Sequence, residues 1–429
     1  MLARGLTEKR DIRIRERQLL ILAILFVWIN GVSLLLGGVQ GLSWTVLWAP
    51  AGWTVIVLLA HFLLNRYLDY HDPYWLPIIS LLTGWGLLLI ARLAVNFLWR
   101  QLLWLTLSFA IMVALAILPR SLRWLRRYRY TWLFAGLILL GTTLWLGVNP
   151  TNFGAELWLP LLPRVSVYFQ PSELLKILLL IFLASYFEER QAMFRPENGP
   201  FAALPYLAPI FIMWGFCIVL LVWQEDLGAA TLFFFVFLAL LYVASGDWRV
   251  LVGGVGMLMI AAVIGYFAFA VVARRVDSWL DPWADASGAA FQIVQSLYAL
   301  GAGGITGTGI GLGFPDYIPV VHSDFAFAAI AEEWGVVGAI TVLICFALLA
   351  HRGLRIAMRS RRPFRMYLVT GIVVLLCAQT FLITGGVTKL LPLTGVTLPF
   401  VSYGGSSLLM AGVMAGLVLH ISTDRQEPG

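Results

Sequence analysis

The fold class the sequence predicts is an all-α polytopic integral membrane protein of about 12 transmembrane helices, and three observations predict it. Of 429 residues, 61% are hydrophobic and only 12% charged, whereas a soluble globular domain carries about a quarter of its residues as charges. Apolar runs of about 20 residues, enough to cross a hydrocarbon core, recur along the chain. Basic residues collect in alternate loops between those runs, as they do on the cytoplasmic side of a membrane.

Residues 1–17 are polar and basic (Arg4, Lys9, Arg10, Arg13, Arg15, Arg17) and are placed in the cytoplasm. Spans follow near 18–38, 45–64, 75–95, 101–118, 130–148, 171–188, 204–222, 228–245, 250–272, 325–350, 367–387 and 404–421. An even number of crossings returns the C-terminus to the cytoplasm. The inner loops then hold Arg66, the run from Arg120 to Arg129, Arg190, Arg195, Arg249 and six arginines between Arg352 and Arg365. The outer side, intramembrane residues included, holds Arg92, Arg100, Arg164, Lys176, Arg274, Arg275 and Lys389. That bias places the polar stretch 273–324 outside, together with the Gly/Pro-rich stretch 388–407. Trp44, Trp48, Trp75, Trp99 and Trp158 fall near span ends, as an interfacial belt places them.

Several functions are disfavoured. The net charge of +7 is spread over loop clusters beside apolar runs, which argues against a nucleic-acid groove. Cys217, Cys345 and Cys377 lie inside apolar segments without metal-ligand spacing and read as small buried hydrophobes. The five histidines show no paired zinc spacing, and the run GAGGITGTGIGLG lacks the lysine and flanking strand of a phosphate loop. His322, Ser323 and Asp324 supply the residue types of a hydrolytic triad, but adjacency in sequence is not triad geometry. The first apolar run is too long for a cleavable signal and lacks a small-residue cleavage site. No internal repeat, low-complexity segment or second soluble domain is visible.

The longest polar interruption, 273–324, holds Asp277, Asp281, Asp285, Asp316 and Asp324, with Arg274 and Arg275 at its start and His322 near its end. A long loop in a compact fold is usually functional. Charged groups at membrane depth are costly and each marks a possible site. In FQPSELLK, Glu173 and Lys176 stand three apart on one helical face and can pair. In WQEDLG, Glu225 and Asp226 suit a helix N-terminus. In HSDFAFAAIAEEWG, Asp324 is expected to cap the next span, while Glu332 and Glu333 need partners. In GVTLPFVSYGGSS, Ser402, Tyr403, Ser406 and Ser407 are expected to line a wet cavity where the last span is broken.

Taken in order, these stretches resemble the SEDS family of polytopic glycosyltransferases of bacterial wall synthesis, which includes the RodA, FtsW and SpoVE types. GWGLLLIARL followed by FLWRQLLW (Arg100, Gln101) resembles the first family helix and its Arg-Gln exit. FQPSELLK is the most specific match, and WQEDLG resembles Q-P-D-L-G. DPWADASGAAFQIVQS and the glycine run resemble the family's acidic loop. HSDFAFAAIAEEWG and LPLTGVTLPFVSYGGSSLL complete the set, so the likeness runs from about residue 75 to the C-terminus. Ala286 and Glu225 replace family prolines, Phe291 a tyrosine, and Val320 a frequent acid; Asp285 is kept.

The resemblance implies a ten-helix core over 71–429 preceded, over 1–70, by a cytoplasmic N-terminus and two additional helices, as in longer RodA-type members. It implies polymerisation of lipid II through β-1,4 bonds at the outer face of the cytoplasmic membrane, with inversion and loss of undecaprenyl pyrophosphate. Asp285 takes the role of general base or of a ligand to a divalent cation (Mg or Mn); no metal site is otherwise assigned. Arg100, Arg274, Arg275 and Lys389 become candidates for the pyrophosphate. Glu173, Lys176, Asp281, Asp226, His322, Asp324, Glu332 and Ser402 take supporting roles. The implied partner is a class B penicillin-binding protein, and the implied setting elongation or division. A flippase for the lipid-linked precursor, or an inactive scaffold, stays open as an alternative. A flippase needs polar groups through the whole bilayer, whereas the unpaired acids here gather at the outer face.

Overall fold

The computed structural model describes residues 2–37, 44–118, 122–149, 156–162, 167–191 and 204–423. Arg120, Arg164 and Arg195 of the charge pattern lie outside them, as do the side chains of Arg4, Lys9 and Arg10. The chain is helical almost throughout. The helices are α1 (Leu2–Leu36), α2 (Trp48–Tyr67), α3 (Trp75–Leu93), α4 (Leu98–Ile117), α5 (Arg123–Arg127), α6 (Arg129–Leu146), α7 (Pro171–Glu189) and α8 (Leu204–Trp223). They continue as α9 (Leu227–Ser245), α10 (Arg249–Ala268), α11 (Ala270–Leu280), α12 (Phe291–Gly303), α13 (Ala326–Glu333), α14 (Gly335–Arg359), α15 (Pro363–Val387) and α16 (Gly405–Ser422).

Among the described residues, nine helices are long and apolar enough to cross a membrane. The expected spans near 130–148, 171–188 and 204–222 are helices as well, as α6, α7 and α8. Three expectations change. The helix α1 starts at Leu2 and runs through the polar N-terminus, with its apolar span from Arg13 to Leu36. The span expected at 325–350 is broken at Trp334: α13 stops, Gly335 takes φ +68°, and the crossing helix starts there. The polar stretch 273–324 carries α11 and α12, and is not irregular throughout. A short antiparallel hairpin, β1 (Leu159–Leu162) and β2 (Val167–Phe169), also departs from all-α; its strands are too short to show an alternating pattern.

The chain forms two compact units. One collects Met1–Leu118, Asp277–Arg355 and Gln379–Arg425. Here α16 lies against α4, closely enough that a methyl on Gly412 would sit 2.3 Å from Ser108 Oγ and one on Gly405 2.2 Å from the Trp104 ring. Small residues allow such approach where lipid offers no hydrophobic drive between helices. The helix α3 is apolar all round and accordingly buried on every side. Where the apolar span of α1 begins, buried Glu16 lies 2.7 Å from His61 Nδ1 and 2.6 Å from His71 Nε2. Nearby in sequence, Asp72 pairs with Arg352, whose Nε lies 2.9 Å away.

The other unit collects Pro119–Val276 and Ile356–Ala378. Its centre is α7, which packs on α6 and α9. A methyl on Gly136 of α6 would meet Leu178 at 2.7 Å, and one on Gly371 of α15 would meet Leu180 at 2.1 Å.

Candidate functional site

In the first unit, the segment between α11 and α12 is a chain of turns set by its two aspartates. Asp281 Oδ1 accepts from the Trp283 N–H at 3.2 Å, an Asx turn. Asp285 Oδ2 accepts from the Ala289 N–H at 2.7 Å, while its carbonyl oxygen takes the Gly288 and Ala290 N–H groups at 3.1 and 3.3 Å. A charge-assisted bond of this kind fixes a carboxylate more firmly than a neutral one would. The carboxylate is nonetheless exposed, and among the described residues Oδ1 takes no hydrogen bond. It is therefore oriented by one oxygen and open at the other.

The turns are pinned at both ends to the end of α15. Trp279 Nε1 donates to the Lys389 carbonyl at 3.1 Å, and Ser296 Oγ on α12 to the Val387 carbonyl at 3.0 Å. Lys389 itself stands at φ +58°. Its ammonium has no hydrogen-bond or ion-pair partner among the described residues. The structure thus brings Lys389 and the Asp285 turn onto one support.

A second cluster gathers Phe97, Arg100, His322 and Tyr403. The Arg100 guanidinium lies 5.5 Å from the Phe97 ring centre, while its buried Nε has no partner. The Phe97 ring packs on His322 (5.3 Å) and on Tyr403 (4.8 Å). Burial holds the His322 imidazole below its ordinary range, so the ring is neutral at pH 7. The backbone closes the cluster, with the Tyr403 N–H donating to the His322 carbonyl at 2.8 Å.

Two expectations need correction here. Asp324 does not cap α13: Phe325 holds the cap position with no side-chain cap bond, and Asp324 instead accepts from the Ser323 hydroxyl. Buried Ser402 does not line an open cavity. Its Oγ donates to the Ser323 carbonyl and accepts from the Leu398 N–H at 3.0 Å, bracing the broken start of α16.

Glu332 and Glu333 find their partners in the glycine run and in α3. Glu332 Oε1 accepts from the Phe314 N–H at 2.7 Å. Glu333 lies 3.5 Å from Arg92 Nε, and Arg92 also reaches Asp316 (3.0 Å) and the Gly313 carbonyl (3.2 Å). Arg92 was legible only as an outer-side charge, because its acidic partners stand more than two hundred residues away along the chain.

In the second unit, FQPSELLK and WQEDLG interlock. Lys176 Nζ and Glu173 Oε1 form the expected ion pair at 2.7 Å, buried on α7. Asp226 caps α9, with Oδ1 accepting from the Ala229 N–H at 3.1 Å. Its other oxygen accepts from Ser172 Oγ (2.9 Å) and Gln170 Nε2 (3.4 Å). Glu225 stands at φ +59°, a conformation closed to the proline of the family pattern. Arg274 is exposed on α11, its Nε on its own helix's Ala270 carbonyl at 3.4 Å, and Arg275 lies beside it.

Among the described residues no group of three or more His, Cys, Asp or Glu side chains is placed to hold a metal ion. One carboxylate builds no protein cage for a cation.

The family model described as cell cycle protein, covering FtsW, RodA and SpoVE, matches residues 75–427. The chain belongs to that family. It is 35% identical over 409 residues to "Peptidoglycan glycosyltransferase RodA" of Mycobacterium tuberculosis H37Rv, covering 91% of this chain and 86% of the relative. It is 36% identical over 333 residues to "Probable peptidoglycan glycosyltransferase FtsW" of Geobacter sulfurreducens PCA, covering 76% and 85%. Among solved structures it is similar to a chain from "Structural coordination of polymerization and crosslinking by a peptidoglycan synthase complex". That match has TM-score 0.69 and 30% identity, over 83% of this chain and 99% of that one. The rod shape determining protein RodA of Thermus thermophilus matches with TM-score 0.60 and 28% identity, over 83% and 98%. The family match starts at α3, so α1 and α2 precede it.

Proposed function

We propose that this FtsW/RodA/SpoVE family member polymerises lipid II into β-1,4-linked glycan strands at the outer face of the bacterial cytoplasmic membrane, with both termini inside. The observation that carries the reading is the exposed Asp285 carboxylate, tethered at 2.7 Å through one oxygen and open at the other. An inverting displacement needs such a group within about 3 Å of the attacking hydroxyl. Asp285 takes the proton of the acceptor hydroxyl; the freed oxygen bonds to the anomeric carbon as the bond to the pyrophosphate breaks. The leaving group carries the developing charge, which cations stabilise most where water is excluded. Lys389, on the same support as the Asp285 turn, and Arg100, with its unpartnered Nε, serve that role in the first unit; Arg274 and Arg275 are further candidates. Asp285 is the residue that would hold a divalent cation, which would supply positive charge to the departing pyrophosphate.

The partner is a class B penicillin-binding protein, whose transpeptidase crosslinks the strands. The description of the similar synthase complex, joining polymerization with crosslinking, supports this.

The test is lipid II polymerisation by the purified protein with its cognate penicillin-binding protein, comparing wild type with Asp285→Ala and Asp285→Asn. Strands from wild type and none from either folded variant support the reading. Equal strands from all three remove Asp285 from the chemistry. No strands from wild type, with or without divalent cation, shift the reading to a flippase or scaffold.

A further inference from the structure

We propose that Asn30, on the helix α1 that precedes the family core, is a positioning residue for the polymerase loop and acts through Trp334. The proposal rests on the polymerase reading for its activity arm and on geometry for the rest.

Asn30 is 5% exposed and lies within the span Arg13–Leu36, six residues from its C-terminal end. A polar group buried at membrane depth is costly unless paired. Its Nδ2 donates to the Phe26 carbonyl at 2.6 Å, which fixes the amide's orientation. Its Oδ1 is thereby aimed away from its own helix, where it accepts from Trp334 Nε1 at 3.0 Å. The indole is held in that place by edge contacts: Trp334 on Trp85 (5.4 Å) and Trp85 on Phe26 (4.9 Å).

The helix α1 has little freedom to shift. A methyl on Gly84 of α3 would meet Val27 at 2.4 Å and the Trp53 ring at 2.8 Å. Two further indoles lock the layers, Trp28 Nε1 to Thr54 Oγ1 (3.1 Å) and Trp53 Nε1 to Thr83 Oγ1 (3.2 Å).

Trp334 stands at the break between α13 and α14, and the glycine run is clamped onto that break by its backbone. The N–H groups of Thr308 and Gly309 donate to the Glu332 and Glu333 carbonyls (2.9 and 3.2 Å). Those of Val336 and Val337 donate to the Gly304 and Ile305 carbonyls (3.0 and 3.2 Å). The clamp has no slack: a methyl on Gly335 would lie 2.3 Å from Gly307 N, and one on Gly303 2.0 Å from the Ala331 carbonyl oxygen. Gly303 ends α12, and α12 begins at the turn that Asp285 sets. A continuous path of fixed contacts therefore joins Asn30 to the loop of the proposed base. The additional helices are part of the loop's support and not an appendage.

The test uses the full-length protein as Asn30→Leu, Trp334→Phe and the double variant. Each single change leaves one buried polar group unpaired, whereas the double removes both, which can be nearly neutral. Hydrogen exchange at 303–316 rises about tenfold in each single variant and returns to within about threefold of wild type in the double. The melting temperature falls modestly in each single variant and recovers in the double. In the polymerisation assay kcat falls in each single variant and recovers in the double, while KM for lipid II is unchanged. Unchanged exchange in Asn30→Leu, or a double variant as loose as the singles, overturns the coupling whatever the assay gives. Altered exchange with unaltered kcat overturns the positioning role. Wild-type protein that makes no strands defeats the polymerase reading, and exchange alone then decides the coupling.

Discussion

A methyl group on Gly288 would lie 2.3 Å from Asp285 Oδ1 and 2.4 Å from Oδ2. Glycine at 288 is thus what allows the carboxylate to fold back over its own turn and accept from the Ala289 N–H. Gly288→Ala is expected to turn the carboxylate out of that position without unfolding the chain, since both residues are exposed. A displacement of about 1 Å at a reacting group costs on the order of 100-fold in rate. Strand synthesis by folded Gly288→Ala protein checks this; a rate within about threefold of wild type would show that the turn does not orient the base.

Glu225 stands at φ +59° just before the Asp226 cap of α9. Proline, locked near φ −65°, cannot take that conformation and would lose the Glu225 N–H bond to the Val222 carbonyl (3.0 Å). Restoring the family pattern with Glu225→Pro is expected to destabilise by about 3 kcal/mol, and Glu225→Gly to stabilise by about 1 kcal/mol. Thermal melting in detergent separates the two signs. A Glu225→Pro variant as stable as wild type would mean that the turn rearranges at no cost.

The membrane class was legible because composition and loop charge are read locally, and so were features formed within one turn of helix. The Glu173–Lys176 pair follows from a spacing of three, and the Asp226 cap from its place before an apolar run. Contacts closed over long separations were not legible. The links of Arg92 to Glu333 and Asp316, of Ser402 to Ser323, and of Asn30 to Trp334 all join distant segments. The break at Trp334 left only a faint signal, one glycine in an otherwise helical run; its cause is the φ of +68° at Gly335, which the glycine run's backbone then fills.

The neutral His322 ring, packed on Phe97 and near Tyr403, gives a pH dependence whose sign is fixed by burial. An unfolded histidine titrates at about 6.5, and the folded one below that. Between those two values the unfolded state binds the extra proton, so stability is full above about pH 6.5 and falls as pH drops through the window. Melting temperature measured from pH 8 to pH 5 is expected to fall on the acid side, and His322→Gln to flatten that fall. Identical acid limbs in both proteins would assign the dependence to another group.

Arg92 and Glu333 are both largely buried, with side chains 11% and 1% exposed and Nε 3.5 Å from a carboxylate oxygen that has no other partner. Removing Arg92 leaves buried Glu333 without its counter-ion, whereas Arg92 keeps Asp316 and the Gly313 carbonyl when Glu333 is removed; replacing both members of a buried pair by apolar groups can be neutral or better. Arg92→Leu is expected to lower the melting temperature strongly and Glu333→Leu to lower it less. The double variant should recover most of the loss, less what is forfeited when Asp316 and the Gly313 carbonyl lose the same guanidinium. Because these partners sit on the glycine run, the double variant is expected to stay folded yet polymerise slowly. Recovery of stability without recovery of rate is the outcome that assigns Arg92 to holding the loop; recovery of both would leave it a purely structural counter-ion.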